Sequence, residues 1–277
     1  MYNQIGKIRR FIFELIRKSP MVYQIRELTN KLIKILKKFK IYIPIKRFIF
    51  NKITTLSQET IDFFSQFIDK GDLCFDIGAW EGELVQIFLK LGAKIVAVEP
   101  QERCVEKLQI YFGNNENVKI YQKALGEKHD FGKIALCDNK TQLSSLSSRF
   151  VSESRFANRC KWTKHQPIEI ITLDSLIQKY GVPKFCKIDV EGYEKNVLKG
   201  LSHPIQYLSF EYIEEFSDVV KECCDMLSNI GEVRFNIIQH SGESLIFEKW
   251  LETEEFLNQL SSNKYNISSG DIYANFI

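Results

Sequence analysis

Leu73-Cys74-Phe75-Asp76-Ile77-Gly78-Ala79-Trp80-Glu81-Gly82 is the stretch whose reading decides the fold. A short apolar run closes on an acid. A Gly-x-x-x-Gly loop then leads into the helical pattern of Glu83–Leu91. Strand, glycine loop and helix in that order place a ligand loop at the carboxyl end of the first strand of an open α/β sheet. Gly78 permits a tight turn and close approach of a ligand. Gly82 permits tight packing where the helix begins. The spacing is not Gly-x-Gly-x-x-Gly, which counts against a pyrophosphate cradle. Asp76 would repel phosphates and suits a cationic ligand. S-adenosylmethionine, with an amino group, a sulfonium and no phosphate, is such a ligand. The plainer reading of Asp76 is a buried acid capping the next turn.

Outward from this loop, short apolar runs alternate with helical patterns. The strand candidates are Leu73–Ile77, Lys94–Glu99, Val118–Lys123, Phe185–Val190 and Tyr207–Tyr212. The helical stretches are Gln58–Ile68, Glu83–Leu91, Glu102–Phe112, Tyr193–Leu201 and Phe216–Ile230. Arg234–Gln239 and Ile272–Ile277 read as further strands. Buried strands alternating with helices predict an α/β fold, a parallel sheet with helices on both faces. Residues 137–165 break the pattern. They are polar and Ser-rich, carry Arg149, Arg155 and Arg159, and read as a long loop or small lid.

Two more acid clusters fall at strand ends. Lys94–Val98 runs into Glu99-Pro100, about 20 residues beyond the glycine loop, where an acid suits two ribose hydroxyls. Together Asp76, Gly78, Gly82 and Glu99 form an adenosine-ligand constellation. Phe185-Cys186-Lys187-Ile188-Asp189-Val190-Glu191-Gly192-Tyr193-Glu194 repeats the layout. If that strand neighbours the first, Asp189 and Glu191 face the reacting groups across the ligand crevice. Two residues apart in an extended segment, they share a side. They suit accepting a proton, orienting an acceptor or holding a divalent ion. Asp189 also reads as a cap for the helix at Tyr193, and Glu194 as a first-turn acid favoured by the helix dipole.

The chain has 277 residues, 44% of them apolar and 26% charged, as in a globular protein. The net charge of +3 hides an uneven split. Residues 1–52 carry 14 Lys and Arg against Glu14 and Glu27, a net of +12, so the remainder carries −9. Spacing of three and four residues makes this arm helical, with breaks at Pro20 and Pro44. It reads as a membrane-surface helix, a docking arm for an acidic partner, or a cap on the body's acidic surface. The acidic body argues against nucleic acid as a partner. Seven scattered Cys, without a C-x-x-C pair, read as reduced thiols in a cytoplasmic protein. No run reaches the roughly 18 apolar residues of a membrane span.

At this point the residues resemble a known family, the FkbM-type S-adenosylmethionine-dependent methyltransferases. The matching pieces are Asp76–Gly82, Val98-Glu99-Pro100, Ala124-Leu125-Gly126, Thr172-Leu173-Asp174-Ser175-Leu176 and Lys187–Glu194. The Lys-Ile-Asp-Val-Glu-Gly block is the most specific. The resemblance implies a class I methyltransferase fold, a Rossmann-like sheet of seven strands with the last antiparallel. It assigns residues 58–277 to the catalytic domain and leaves 1–57 as a basic helical extension. It implies methyl transfer to a hydroxyl of a sugar, glycan or natural product. Asp76, Gly78, Ala79, Trp80 and Gly82 would line the methionine moiety, Glu99 would bind the ribose, and Ala124 and Leu125 would lie near the adenine. Asp189 would touch the cofactor and, with Glu191, face the reaction centre. Trp80 departs from the family's frequent Asn, and an indole there would narrow the cofactor mouth.

A hydroxyl acceptor loses its proton as the new bond forms, so a base belongs within hydrogen-bond reach. The candidates are Asp189, Glu191, Glu211 and His165. The four His show no metal pattern, and a divalent ion has no support beyond Asp189 and Glu191. Ser144, Ser145 and Ser147 suit a polyhydroxylated acceptor or a solvated loop. Phe150, Phe156 and Trp162, interleaved with Arg149, Arg155, Arg159 and Lys161, suit a stacked sugar, an acidic acceptor or a lid packed on the body. Competing readings are an N-methyltransferase, a nicotinamide-dependent oxidoreductase and a non-catalytic binding module.

Overall fold

The computed structural model describes residues 57–239, 244–262 and 265–277. The basic arm and the membrane contact expected of it lie outside these residues.

The glycine-loop region folds as its pattern predicts. Helix α1 (Gln58–Phe64) precedes β1 (Leu73–Ile77), α2 (Glu83–Lys90), β2 (Lys94–Val98), α3 (Glu102–Phe112) and β3 (Val118–Tyr121). Four of the five residues of β1 and of β2 are buried. That is the composition of strands covered on both faces. Next come β4 (Ala124–Leu125), β5 (Asp130–Cys137), α4 (Ser148–Glu153), β6 (Trp162–Ile171) and α5 (Leu173–Tyr180). The chain ends with β7 (Phe185–Ile188), α6 (Glu194–Leu198), β8 (Tyr207–Ile213), α7 (Ser217–Ile230), β9 (Val233–Gln239), α8 (Thr253–Ser261) and β10 (Ser269–Phe276).

The main sheet has seven strands in the order β3-β2-β1-β7-β8-β10-β9. β10 runs antiparallel to both its neighbours, and the β3-β2-β1-β7-β8 pairs are parallel. This is the sheet the resemblance implied. β1 lies between β2 and β7, with Asp76 opposite Ala97 on one side and Lys187 on the other. The strand order reverses beside β1, and the crevice at its carboxyl end is where an α/β sheet binds ligands.

Three expectations need correction. Residues 137–165 are not a free loop. They hold the last residue of β5, a short turn at Thr141–Leu143, α4 and the first half of β6. β6 pairs with β4 and β5 in a separate three-stranded sheet. Its first half is mostly exposed, so it has no apolar run to betray it. Second, the thiols are not all reduced. Cys137 and Cys160 form a disulfide, and the other five Cys are buried and free. The cytoplasmic reading loses that support. Third, the strand expected over Phe185–Val190 stops at Ile188. The backbone then turns through Glu191 at φ 56° and Gly192 at φ 84°.

Helices α5 and α8 lie outside the helical stretches that the pattern predicts. Thr172 caps α5 by accepting the N–H of Ser175 at 3.1 Å. No helix among the described residues is long and apolar enough to cross a membrane.

Candidate active site

A cavity of about 510 Å³, open solvent at its mouth included, lies at the carboxyl ends of β1, β2 and β7. Gly78, Trp80, Glu99, Ala124, Leu125, Asp189 and Glu191 of the expected residues line it. Asp76, Ala79, Gly82, Glu211 and His165 are not in its wall.

The glycine loop is held by backbone bonds. Gly78 and Ala79 both donate to the carbonyl of Val98, at 2.9 and 3.1 Å. Gly78 has φ 90°, and a Cβ there would overlap the backbone carbonyl of Asp189. The glycine therefore admits the neighbouring protein loop, as well as leaving its other side to the cavity. Gly82, also at φ 90°, lies against Leu108 and Phe112 of α3 at the start of α2.

Glu99 is 2% exposed. Its Oε2 accepts the backbone N–H of Trp80 at 2.9 Å, and its Oε1 that of Gln101 at 2.8 Å. Burial raises its pKa to about 7, against the lowering effect of those two N–H groups. Trp80 sits at φ 43° and its Nε1 donates to Thr141 Oγ1 at 3.1 Å. Gln101 continues the chain of contacts: its Nε2 donates to the Thr141 carbonyl, and its Oε1 accepts from Ser144 Oγ, both at 3.0 Å. The Thr141–Ser144 segment is thereby tied across the cavity. Gln101 and Thr141 belong to no motif, and only the folded chain brings them to the site.

Asp76 lies one residue deeper than the lining, 2% exposed, with Oδ2 lacking a hydrogen-bond partner. Burial pushes its pKa up to about 7, with Lys187 opposing and Asp189 and Glu99 adding to the rise. Lys187 does not snorkel outward. Its Nζ is bound by Asp189 Oδ2 at 3.1 Å and Asp271 Oδ1 at 2.8 Å. Burial alone would lower its pKa, but the two carboxylates hold it well above the ordinary value.

Asp189, Glu191 and Glu211 come together. One carboxylate oxygen from each lies within 4.8 Å of the others. They meet through a turn and a neighbouring strand, rather than by sharing the side of an extended segment. The Glu191 carbonyl accepts Ser145 Oγ at 2.6 Å, which anchors the turn. Glu194 Oε1 accepts the N–H groups of Val190 at 3.1 Å and Gly192 at 3.2 Å, bracing it from below. Burial, reinforced by the neighbouring carboxylates, holds both Glu191 and Glu211 well above the usual carboxylate range.

Glu211 faces a second cavity of about 460 Å³, which Gly192, Glu194, Phe210 and Phe216 also line. The turn at 189–192 is thus the wall between two cavities.

The polar segment supplies scaffold. Ser144 Oγ also accepts the Cys137 N–H, and Ser147 caps α4 by accepting from Phe150. Arg155 forms a bidentate pair with Glu215, at 2.7 and 2.6 Å. Arg149 bonds Asp218 at 2.7 Å and lies over the Phe216 ring. The lid is packed on the body. His165 is exposed in the middle of β6, paired with Ala135, and does not reach either cavity.

The sequence profile of the methyltransferase FkbM domain matches residues 76–256. The chain belongs to the FkbM methyltransferase family. It is an S-adenosylmethionine-dependent enzyme, and the nicotinamide and non-catalytic readings fall away. A search of curated proteins found no match. Among solved structures, a precorrin-6Y C5,15-methyltransferase of Geobacter metallireducens is 10% identical, covers 81% of this chain and 90% of its own, and has a TM-score of 0.39. An rRNA methylase of Streptococcus thermophilus is 12% identical, covers 79% and 94%, and scores 0.39. A Streptococcus mutans protein described as a methyltransferase, in complex with SAH, is 12% identical, covers 80% and 100%, and scores 0.37. The family rests on the profile match, and the sheet architecture on the strand order.

The cavity fits the cofactor of an FkbM enzyme. It lies at the switch point of the sheet, where α/β folds bind their ligands. Val98, Ala124, Leu125, Ile134 and Leu146 give it apolar walls, and Glu99 brings a buried carboxylate to the β2 end.

Proposed function

We propose that this methyltransferase modifies a hydroxyl of a sugar, glycan or natural product. The convergence of Asp189, Glu191 and Glu211 on the wall between two cavities carries the reading. The first cavity would hold S-adenosylmethionine, which supplies an electrophilic methyl group when bound. Glu99 would bind its ribose, the Gly78–Trp80 loop its methionine part, and Ala124 and Leu125 its adenine. The acceptor would reach the wall from the Glu211 side.

The chain's own work is alignment and proton removal. Glu191 and Glu211 suit proton acceptance by position, since Glu191 lines the first cavity, Glu211 the second, and their carboxylates converge on the wall between them. Asp189 is engaged by Lys187 and suits positioning. A panel of hydroxyl and amine acceptors, run with Glu191→Gln and Glu211→Gln, tests this. Loss of methyl transfer to hydroxyls by at least tenfold in one variant is expected. Full activity in both, or turnover of amines alone, would overturn it.

The net charge of +12 on residues 1–52 supports a second proposal, peripheral contact with an anionic membrane. Liposome co-sedimentation of the full chain and of a version lacking those residues should show pelleting of the former only. Equal pelleting would remove the idea.

A further inference from the structure

We infer that Asp189, Glu191 and Glu211 form a binding site for a divalent cation, Mg²⁺ or Mn²⁺. The inference rests on the reading of this wall as the reaction centre and adds a ligand to it.

Three observations carry it. First, the three carboxylates come from the end of β7, the turn after it and β8, yet offer one oxygen each within 4.8 Å of the others. Oxygens on one magnesium ion lie about 2.1 Å from it and so at most about 4.2 Å apart. Cis oxygens on such an ion lie about 3.0 Å apart, so the three side chains would draw together by rotation about their own bonds to close on it.

Second, Glu191 is 8% exposed and its Oε2 is buried without a hydrogen-bond partner. Glu211 Oε2 is likewise buried and unpartnered. A buried carboxylate oxygen with no donor costs free energy. An ion at the centre would give these oxygens and Asp189 a common partner.

Third, the local positive charge is already spent. Lys187 is the ammonium whose field reaches Asp76, Glu191 and Glu211, but its Nζ is bound between Asp189 and Asp271. Glu194 adds a further acid and is occupied by the backbone of the turn. Hard carboxylate oxygens select Mg²⁺ or Mn²⁺ over softer ions. Three protein oxygens leave about three of six positions for water or acceptor oxygens. Asp189 and Glu191 line one cavity and Glu211 lines the other, so an acceptor in either would lie beside such an ion.

Mn²⁺ titration of the full-length protein, followed by electron paramagnetic resonance of the free ion, tests the site. One saturable site is expected, competed by Mg²⁺ and weakened at least tenfold in both Glu191→Gln and Glu211→Gln. Asp130→Asn, on the exposed start of β5, should bind as the wild type does. Absence of a saturable site in the wild type, or wild-type affinity in both Glu variants, would overturn the inference. The wild-type titration can refute it even if a variant fails to fold. SAH calorimetry on the same sample separates the outcomes: SAH binding without Mn²⁺ binding leaves the methyltransferase reading standing and removes only the ion.

Discussion

Gly78 lies directly beneath the backbone carbonyl of Asp189, so close that a Cβ on the glycine would overlap the oxygen. The N–H of Asp189 meanwhile donates to the carbonyl of Ile77 at 2.8 Å. The cofactor loop and the carboxylate turn are therefore one packed unit, and neither can shift without the other.

Gly78→Ala should damage both. The left-handed backbone at φ 90° alone costs a residue with a Cβ roughly 1–3 kcal/mol. The overlap adds displacement of the Asp189 turn. A drop in Tm of several degrees and a loss of SAH affinity of at least tenfold are expected by differential scanning fluorimetry and calorimetry. Wild-type values for both would contradict the packing.

Glu99→Ala and Asp76→Ala should differ. Glu99 lines the cavity and fixes the N–H groups of Trp80 and Gln101, whereas Asp76 lies beneath the lining. SAH affinity should fall at least tenfold in Glu99→Ala and less in Asp76→Ala. Undiminished affinity in both variants would sink the cofactor placement.

Stability of the ligand-free enzyme should fall as pH rises. Asp76, Glu99 and Glu194 have pKa values of about 7 when folded, above the ordinary 3.8 for Asp and 4.5 for Glu. Between those limits the folded state holds protons that the unfolded chain has released. Each such group then loses about 1.4 kcal/mol of stability per pH unit. Their stabilising contribution is complete below about pH 4 and gone above about pH 7. Tm should drop between pH 5 and 8, and Glu99→Gln should make the drop shallower. A Tm that rises over this interval would refute the burial of these acids as charges-in-waiting.

Reducing the Cys137–Cys160 bridge should loosen the wall of the cofactor cavity. The bridge closes a separation of 23 residues containing Thr141, Ser144 and α4. Constraining a loop of that length is worth roughly 3 kcal/mol. Reductant should lower Tm by several degrees in the wild type and leave Cys137→Ser unaffected. Alkylation of the unfolded, unreduced chain should modify five of the seven Cys.

The parallel core was legible because strands buried on both faces write themselves as apolar runs. Leu73–Ile77 and Glu102–Phe112 stand where the pattern put them. The small sheet was hidden for the opposite reason: the first half of β6 is Trp162 to Gln166, mostly solvent-facing, and its partner β5 begins exposed. Arg149 and Arg155 looked like acceptor contacts because charge type is visible in sequence and partners are not. The carboxylates that tie them to the body, Asp218 and Glu215, lie about 60 residues or more away along the chain.

By itself the sequence determined the strand–loop–helix order, the acids at strand ends and the family blocks, since each is a local pattern written in neighbouring residues. Only the tertiary structure decided which acids meet. Glu211 joins Asp189 and Glu191 because β8 pairs with β7 and the chain turns at Glu191, while His165 is carried away on β6. It also decided that Asp76 lies under the cavity floor and that Lys187 is spent between Asp189 and Asp271. Sheet order and backbone turns bring distant residues within ångströms, and no spacing along the chain records those distances.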